Sequence, residues 1–382
     1  MVVGASFGGL QVASELSGVD VTVVDGQDYW EFTPSMHTAL AGSRVADGLL
    51  VPLGEKLVKG VTFVKGKAVG IEEGVLLVDG KIKKIPFDYL VLATGCDYSW
   101  PIRSRETVLA DRKDAVLKSK EALTKAKSIL VVGGGAVGVE MAAEMAYKGG
   151  EAKITLATNA PELLLDLPEA TRVKALAWLK DHGVDLKFNC KVTQQSEGLY
   201  ELKGNKDTSI LKADDCFWCI GGRPRTAFLK DILPLDARGF VVVDERLKVS
   251  SSTINAFAVG DVAAKADAQR LASYAHFEGE YVAKVIMATI RKQTLPTAYV
   301  APPRFVALSL GPKDGAFIYD SLHMSYFPGF LVPALKTVIE LWFIRLLPMP
   351  YAILKLLPGD YAARLWSKPP RAATAARAVP VS

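Results

Sequence analysis

Cysteine is scarce in this chain: four residues in 382 (Cys96, Cys190, Cys216 and Cys219), scattered and without framework spacing. Disulfide cross-linking is therefore excluded as an organising principle, and a reducing compartment is favoured. Long apolar runs are missing too, since no stretch reaches the ~18 uninterrupted residues that crossing a bilayer needs. No cationic leader with an apolar core opens the chain, position 2 is Val, and no prenylation box closes it. The expectation is an intracellular protein with no secretion signal and no attached lipid. Charge of one sign is equally thin, with 46 Lys/Arg against 41 Asp/Glu and a formal net charge of +5. That is too little to bind polyanions by composition. The excess is local: from Leu331 to Ser382 seven Lys/Arg stand against two acids, which accounts for the whole +5. These basic residues are interleaved with aliphatics, which argues against nucleic acid as a partner. No metal site is expected.

What the chain does have is a stretch around which the rest is organised. Ser128-Ile-Leu-Val-Val falls into Gly133-Gly-Gly135-Ala-Val-Gly138 and then into an Ala/Met/Glu-rich helix carrying Glu140 and Glu144. This is the layout of a dinucleotide-binding βαβ unit: Gly133 for the tight turn, Gly135 for backbone approach to a pyrophosphate, Gly138 for close packing of helix on sheet. The helix N-terminus then faces the phosphates. A partner fingerprint, Gly4-Ala-Ser6-Phe-Gly-Gly9, opens the chain and is followed by Val21-Thr-Val-Val-Asp25. Asp25 falls about 20 residues after the first glycine, where a carboxylate accepts ribose hydroxyls. Two such units imply two dinucleotides and electrons passed between them. Only three residues precede Gly4, where a strand of about five is usual, so further residues are expected upstream.

Between and after the fingerprints the pattern is α/β throughout. Leu10 to Leu16 reads as a helix and Val19 to Val24 as a strand. The aromatic, Pro-punctuated stretch Asp28 to Pro34 reads as a loop, which either packs on the sheet or walls a flat aromatic cofactor. Leu90-Val-Leu-Ala-Thr94-Gly95 closes the first sheet and turns beside the bound ligand. Helices are expected over Asp111 to Lys127, Pro168 to His182 and Gln269 to Arg291, with strands over Lys153 to Ala157, Val184 to Phe188 and Val192 to Leu211. Cys216-x-x-Cys219 lies in an apolar strand where alternate side chains face opposite sides, which favours buried thiols over a dithiol centre. Ile254 to Gly260 delivers Asp261 at the head of a helix, able to hold a polyol while the helix dipole points at the polar edge of a flavin. From Ala301 prolines cut the chain into short apolar blocks with Trp342, Trp366 and the basic excess. That composition suits a surface lying in a membrane interface and equally a small domain covering a flavin.

Both fingerprints, Ala93-Thr94-Gly95 and Gly260-Asp261, in this order, resemble the two-dinucleotide flavoprotein superfamily of pyridine-nucleotide oxidoreductases over about Val2 to Ile290. The resemblance implies two Rossmann-like domains and a small C-terminal domain, with FAD on 1–110 and 240–300, NAD(P)H on 111–239, and a membrane-associating tail within 301–382. FAD would be held by Gly4, Ser6, Gly9, Asp25, Thr94, Gly95 and Asp261, and NADH or NADPH by Gly133, Gly135 and Gly138. Val137 to Glu144 and Phe305 to Gly315 look like the apoptosis-inducing-factor-like, ferroptosis-suppressor branch. Phe32-Thr33-Pro34 looks like the loop of the related type II NADH dehydrogenases. Both reduce quinones through FAD at a membrane surface. Carried over, Glu140 lies by nicotinamide and flavin, and Pro34, Gln269 and Phe277 lie on the quinone side.

The chain departs from that pattern in three places. Ser6 replaces the middle glycine and crowds the phosphate approach. The N-terminal lipid signal of some members is absent. Ala157-Thr158-Asn159 replaces the acid that selects NAD, which leaves NADPH open. The reading that follows is hydride transfer from NAD(P)H to FAD and two-electron reduction of a lipophilic quinone, with His276 or Glu278 relaying a proton and a homodimer possible. A disulfide reductase is disfavoured because Trp30 to Gly54 holds no cysteine pair. The alternatives are a reductase for a soluble acceptor such as a ferredoxin or ascorbate radical, and a NADH-sensing scaffold or death effector.

Overall fold

The computed structural model describes residues 1–16, 18–42, 46–80, 83–205, 207–250, 252–265, 270–319 and 329–345, without the side chains at 342, 344 and 345. The first fingerprint sits in a five-stranded sheet ordered Ala256–Ala258, Leu90–Leu92, Val2–Val3, Val21–Asp25, Val61–Lys65, with every pair parallel. Strands covered on both faces need unbroken apolar runs. Val2-Val3, Val23-Val24 and Leu90–Leu92 are such runs and are fully buried. Helix Phe7–Glu15 begins three residues before the expected Leu10, because the glycines that disguise its start in the sequence are there for contact. A Cβ at Gly279 of the long helix Ala272–Ile290 would stand 2.5 Å from the carbonyl oxygen of Gly8, so the two helices meet backbone against backbone.

The second fingerprint heads a four-stranded parallel sheet ordered Asp185–Lys187, Lys153–Ala157, Ser128–Val132, Asp215–Trp218. Helices Ala136–Lys148 and Glu169–Asp181 pack on it, and an antiparallel sheet of Lys191–Ser196, Leu199–Lys203 and Thr208–Lys212 adjoins it. The apolar core is continuous, reaching from Val2 and Val23 through Met141 to Leu156 and on to Leu308 and Leu310. A short antiparallel ribbon, Cys96–Asp97 against Arg223–Pro224, ties the two halves together where the chain crosses between them.

Tyr29–Glu31 is a strand, paired with Leu50–Pro52, where the sequence suggested a loop. All three of its residues are buried, so no in–out alternation was there to reveal it. Glu31 is tolerated inside because Arg112, fully buried on helix Leu109–Lys125, donates from Nε to its Oε2 at 2.8 Å. The chain continues into the antiparallel hairpin Phe305–Ser309/Gly315–Tyr319 and a helix, Val332–Arg345. Pro333 is accommodated there in the first turn, where its missing N–H costs no helical bond. Among the described residues no helix is long and apolar enough to cross a membrane.

Candidate functional site

The two fingerprints are built to the same plan. Gly4 and Gly133 both have positive φ, 104° and 123°, and a Cβ on either would lie 2.2 or 2.3 Å from the carbonyl oxygen just past the neighbouring strand, Ala93 O or Cys219 O. Gly9 and Gly138 each press a helix on its own turn, since a Cβ there would meet Gly4 O at 1.8 Å or Gly133 O at 2.0 Å. The middle positions differ. A Cβ at Gly135 would meet nothing within 4 Å, so the backbone there opens onto free space. Ser6 carries a side chain at the matching place, and its hydroxyl makes no cap hydrogen bond. Neither helix has a side-chain cap, which leaves its first N–H groups to a ligand.

Both fingerprints line one cavity of about 910 Å³, at the upper end of the range for ligand sites. Asp25 is pinned at its edge, its Oδ2 accepting from Ala5 N–H at 2.7 Å and its Oδ1 from Gln27 N–H at 2.9 Å. Asp261, on the turn Gly260–Val262, accepts from Tyr98 O–H at 2.8 Å. Burial and the Asp261 charge push the Tyr98 phenol well above its ordinary value, so it keeps its proton and orients the carboxylate. Thr94 Oγ1 donates to Arg225 O at 3.0 Å and Gly95 O accepts from Arg225 N–H, which locks the turn after the sheet. An open glycine cradle, a second uncapped helix and two oriented carboxylates in one cavity fit an adenine dinucleotide at each end.

Glu140, on the second fingerprint helix, reaches the same cavity from a buried position. Its Oε1 accepts from Ser309 N–H at 2.8 Å, Ser309 O–H at 2.9 Å and Lys336 Nζ at 2.5 Å, and its Oε2 is 4.0 Å from His37 Nε2. Burial alone would push the carboxyl up, but Lys336 and His37 beside it, with the hydrogen bonds from Lys336 and Ser309, hold it below the usual carboxylate range. It is therefore an anion that anchors a cation. Lys336 comes from the helix Val332–Arg345, Ser309 from the hairpin and His37 from the short helix Met36–Leu40, so four separate elements converge here. Beside this group, Phe7, Trp30, Phe32 and Phe343 pack edge to face or tilted, with centroids 5.1 to 5.9 Å apart. All four rings line the cavity.

The remaining expected site residues divide. Pro34, in the turn Thr33–Ser35, lines the cavity with Thr33. His276 and Phe277 are not among its lining residues: Phe277 is buried, and His276 lies edge-on to Phe343 at 5.6 Å. Gln269 lies outside the described residues. Glu278 turns inward, where its Oε2 accepts from Gly260 N–H at 2.6 Å and its Oε1 pairs with Lys265, bracing the turn that carries Asp261. Cys216 and Cys219 are free thiols, both pushed up by burial, Cys216 to about 12. Thr158, at the end of the second strand of the second sheet, is buried, and its Oγ1 accepts from Ala160 N–H at 3.2 Å. Sequence reasoning passed over His37 and Lys336. The available signals were faint: His37 is one of four histidines and follows Thr33-Pro34, and Lys336 is a cation placed within an apolar block.

Residues 1–280 match the pyridine nucleotide-disulphide oxidoreductase family, and the chain belongs to it. Among its relatives is ferroptosis suppressor protein 1 of Xenopus laevis, 26% identical over 338 residues that cover 85% of this chain and 89% of that one. A type II NADH:quinone oxidoreductase of Staphylococcus haemolyticus is 26% identical over 360 residues, covering 83% and 89%. In fold the chain resembles NDH2 of Plasmodium falciparum, solved in complex with NADH, with a TM-score of 0.75 at 15% identity over 96% of each chain. The protein is an oxidoreductase of the kind that works with FAD and a nicotinamide nucleotide.

Proposed function

We propose that this protein is an FAD-dependent NAD(P)H:quinone oxidoreductase acting at a membrane surface. The observation that carries the reading is the buried Glu140–Lys336 pair beside an aromatic wall, in the cavity that both fingerprints share. FAD is held by the first fingerprint with Asp25, Thr94, Gly95 and Asp261, and the nicotinamide nucleotide by Gly133, Gly135 and Gly138. Bound there, FAD supplies a carrier that accepts a hydride from NAD(P)H and returns two electrons to an acceptor. Reducing a quinone takes two electrons and two protons. The hydride brings one proton, so one more has to reach the quinone oxygen.

Lys336 is suited to deliver it, as an ammonium held at the cavity wall by Glu140, with His37 behind the carboxylate. Phe7, Phe32 and Phe343 exclude water and present flat apolar faces to a quinone ring. Support for the membrane surface comes from Phe330, 68% exposed at the head of the helix Val332–Arg345. The basic, Trp-bearing residues beyond 345 lie outside the described residues. The type II NADH:quinone oxidoreductase relative lends the acceptor its chemistry.

The test is an anaerobic spectrum of the purified protein, titrated with one equivalent of NADH or NADPH and then with a short-chain ubiquinone. Bleaching of the flavin by nucleotide and its return with quinone is the expected result. A flavin that stays reduced with quinone but reoxidises with ferredoxin or ascorbate radical overturns the acceptor, and a protein that takes up no FAD overturns the enzyme reading.

A further inference from the structure

The two nucleotide units match residue for residue, and the match isolates one side chain. Gly4 N–H donates to Val24 O at 2.8 Å, and Gly133 N–H donates to Ala157 O at the same distance. Val3 pairs with Val24, and Val132 with Ala157. The residue that follows is therefore equivalent in the two units: Asp25 in the first, Thr158 in the second. Their local turns agree as well. Asp25 Oδ1 accepts from the N–H two residues on, that of Gln27, at 2.9 Å, and Thr158 Oγ1 accepts from that of Ala160 at 3.2 Å. Each also faces the second residue of its fingerprint. Ala5 N–H meets Asp25 Oδ2 at 2.7 Å, and a Cβ on its counterpart, Gly134, would stand 3.0 Å from Thr158 Oγ1. Gly134 leads directly into Gly135, where the backbone opens onto free space.

The place is the same and the chemistry differs. A carboxylate at this position accepts from the ribose hydroxyls and repels a phosphate carried on the 2′ oxygen. Thr158 is short, neutral and buried, and does neither. It is also fixed, since its N–H donates to Lys187 O and its carbonyl accepts from Cys190 N–H, both at 2.8 Å. The next acid along the chain, Glu162, is bound by Arg172 at 2.7 Å. Lys187, the basic residue beside Thr158 on the next strand, is held by Asp185 at 3.1 Å. Neither a free acid to exclude a phosphate nor a free cation to demand one comes from these neighbours.

We propose that Thr158 sets the nucleotide specificity of this protein by carrying no charge, so that the second unit takes nucleotides with and without a 2′-phosphate nearly equally well. NADPH and NADH then serve alike as hydride donors. The inference rests on the reading of the second fingerprint as the nicotinamide nucleotide site, and not on the identity of the acceptor. A phosphate monoester carries about −1.5 to −2 charges at pH 7, so one carboxylate restored at position 158 is enough to separate the two nucleotides.

The test is calorimetric titration of the full-length, FAD-loaded protein with NAD⁺ and with NADP⁺, which carry no hydride and leave the flavin oxidised. For the wild type the two Kd values are expected to agree within about threefold. Thr158→Asp, which copies the first unit, is expected to weaken NADP⁺ about tenfold, ~1.4 kcal/mol, and to leave NAD⁺ within about twofold. That deficit should shrink as salt is raised, because it is a repulsion between charges. Thr158→Asn, equal in size to the Asp variant and uncharged, is expected to keep the wild-type ratio. A tenfold or larger preference for either nucleotide in the wild type overturns the inference without any variant. So does an equal loss of both nucleotides in Thr158→Asp, or the same NADP⁺ deficit in Thr158→Asn, since either marks a packing role. Binding of neither nucleotide overturns the reading of the second fingerprint and the inference with it, whereas a strong preference with both bound overturns the inference alone. No quinone enters these titrations, so failure of the acceptor assignment leaves them intact.

Discussion

Replacing Lys336 by Met tests whether one buried ion pair docks the last described helix onto the site. Lys336 Nζ lies 2.5 Å from Glu140 Oε1, and the two side chains are only 11% and 9% exposed. At an effective dielectric of ~20 the attraction over that distance is roughly 7 kcal/mol, and desolvation offsets several kcal/mol of it. Removing only the cation leaves Glu140 ionised and buried, at a cost of ~3 to 5 kcal/mol. The lower figure applies, because Ser309 still gives that carboxylate two hydrogen bonds. About 3 kcal/mol raises the opening equilibrium of the helix Val332–Arg345 roughly 100-fold. Native-state amide exchange across that helix measures it directly. Lys336→Met with Glu140→Gln is expected to regain about half the loss, since no charge is then stranded. The pH dependence carries a sign as well. The Glu140 pKa is lowered on folding, so its contribution is complete above the ordinary glutamate value and fades as pH falls through the lowered one. Tail amides that exchange at the wild-type rate in Lys336→Met would falsify the docking argument.

Four further outcomes are expected. Gly135→Ala should fold normally, since its Cβ meets nothing within 4 Å, yet bind NADH at least ~10-fold more weakly. Gly138→Ala, whose Cβ would sit 2.0 Å from Gly133 O, should fail to give folded protein, and normal NADH binding by Gly135→Ala would remove the second fingerprint from the nucleotide site. His276→Ala should lower stability by ~1 kcal/mol through its lost edge contact with Phe343 but leave quinone turnover within about twofold, as steady-state rates will show. Lys56 Nζ donates to Phe343 O at 2.5 Å, and burial pulls its ammonium down to about 8. The folded chain therefore sheds that proton before the unfolded one, and docking of the tail helix should strengthen as pH climbs from ~8 toward ~10.4. Lys56→Met should abolish that slope in the exchange data.

The parts legible in the sequence were those written over a few neighbouring residues. Gly4 to Gly9 and Gly133 to Gly138 each state a turn, a phosphate approach and a helix contact within six positions, and the two sheets form around them as that spacing implies. Glu140 was singled out because it travels on the second of these motifs. Its partners did not, since Ser309 and Lys336 are 169 and 196 residues away along the chain and meet it only once the hairpin and the following helix have packed. His276 looked suitable for chemistry by residue type; its ring lies edge-on to Phe343, itself part of the cavity wall, and is not among the lining residues.

The ribbon of Cys96–Asp97 against Arg223–Pro224 has a mechanical consequence. Two crossing segments that are hydrogen-bonded to each other cannot swing as independent hinges. With Arg225 also bonded to Asp97, Gly95 and Thr94, the crossing behaves as one stiff strap. The gap between the two fingerprints is then a fixed dimension of the protein, and a residue inserted in either segment would change how far apart they stand before it changed either one's own turn.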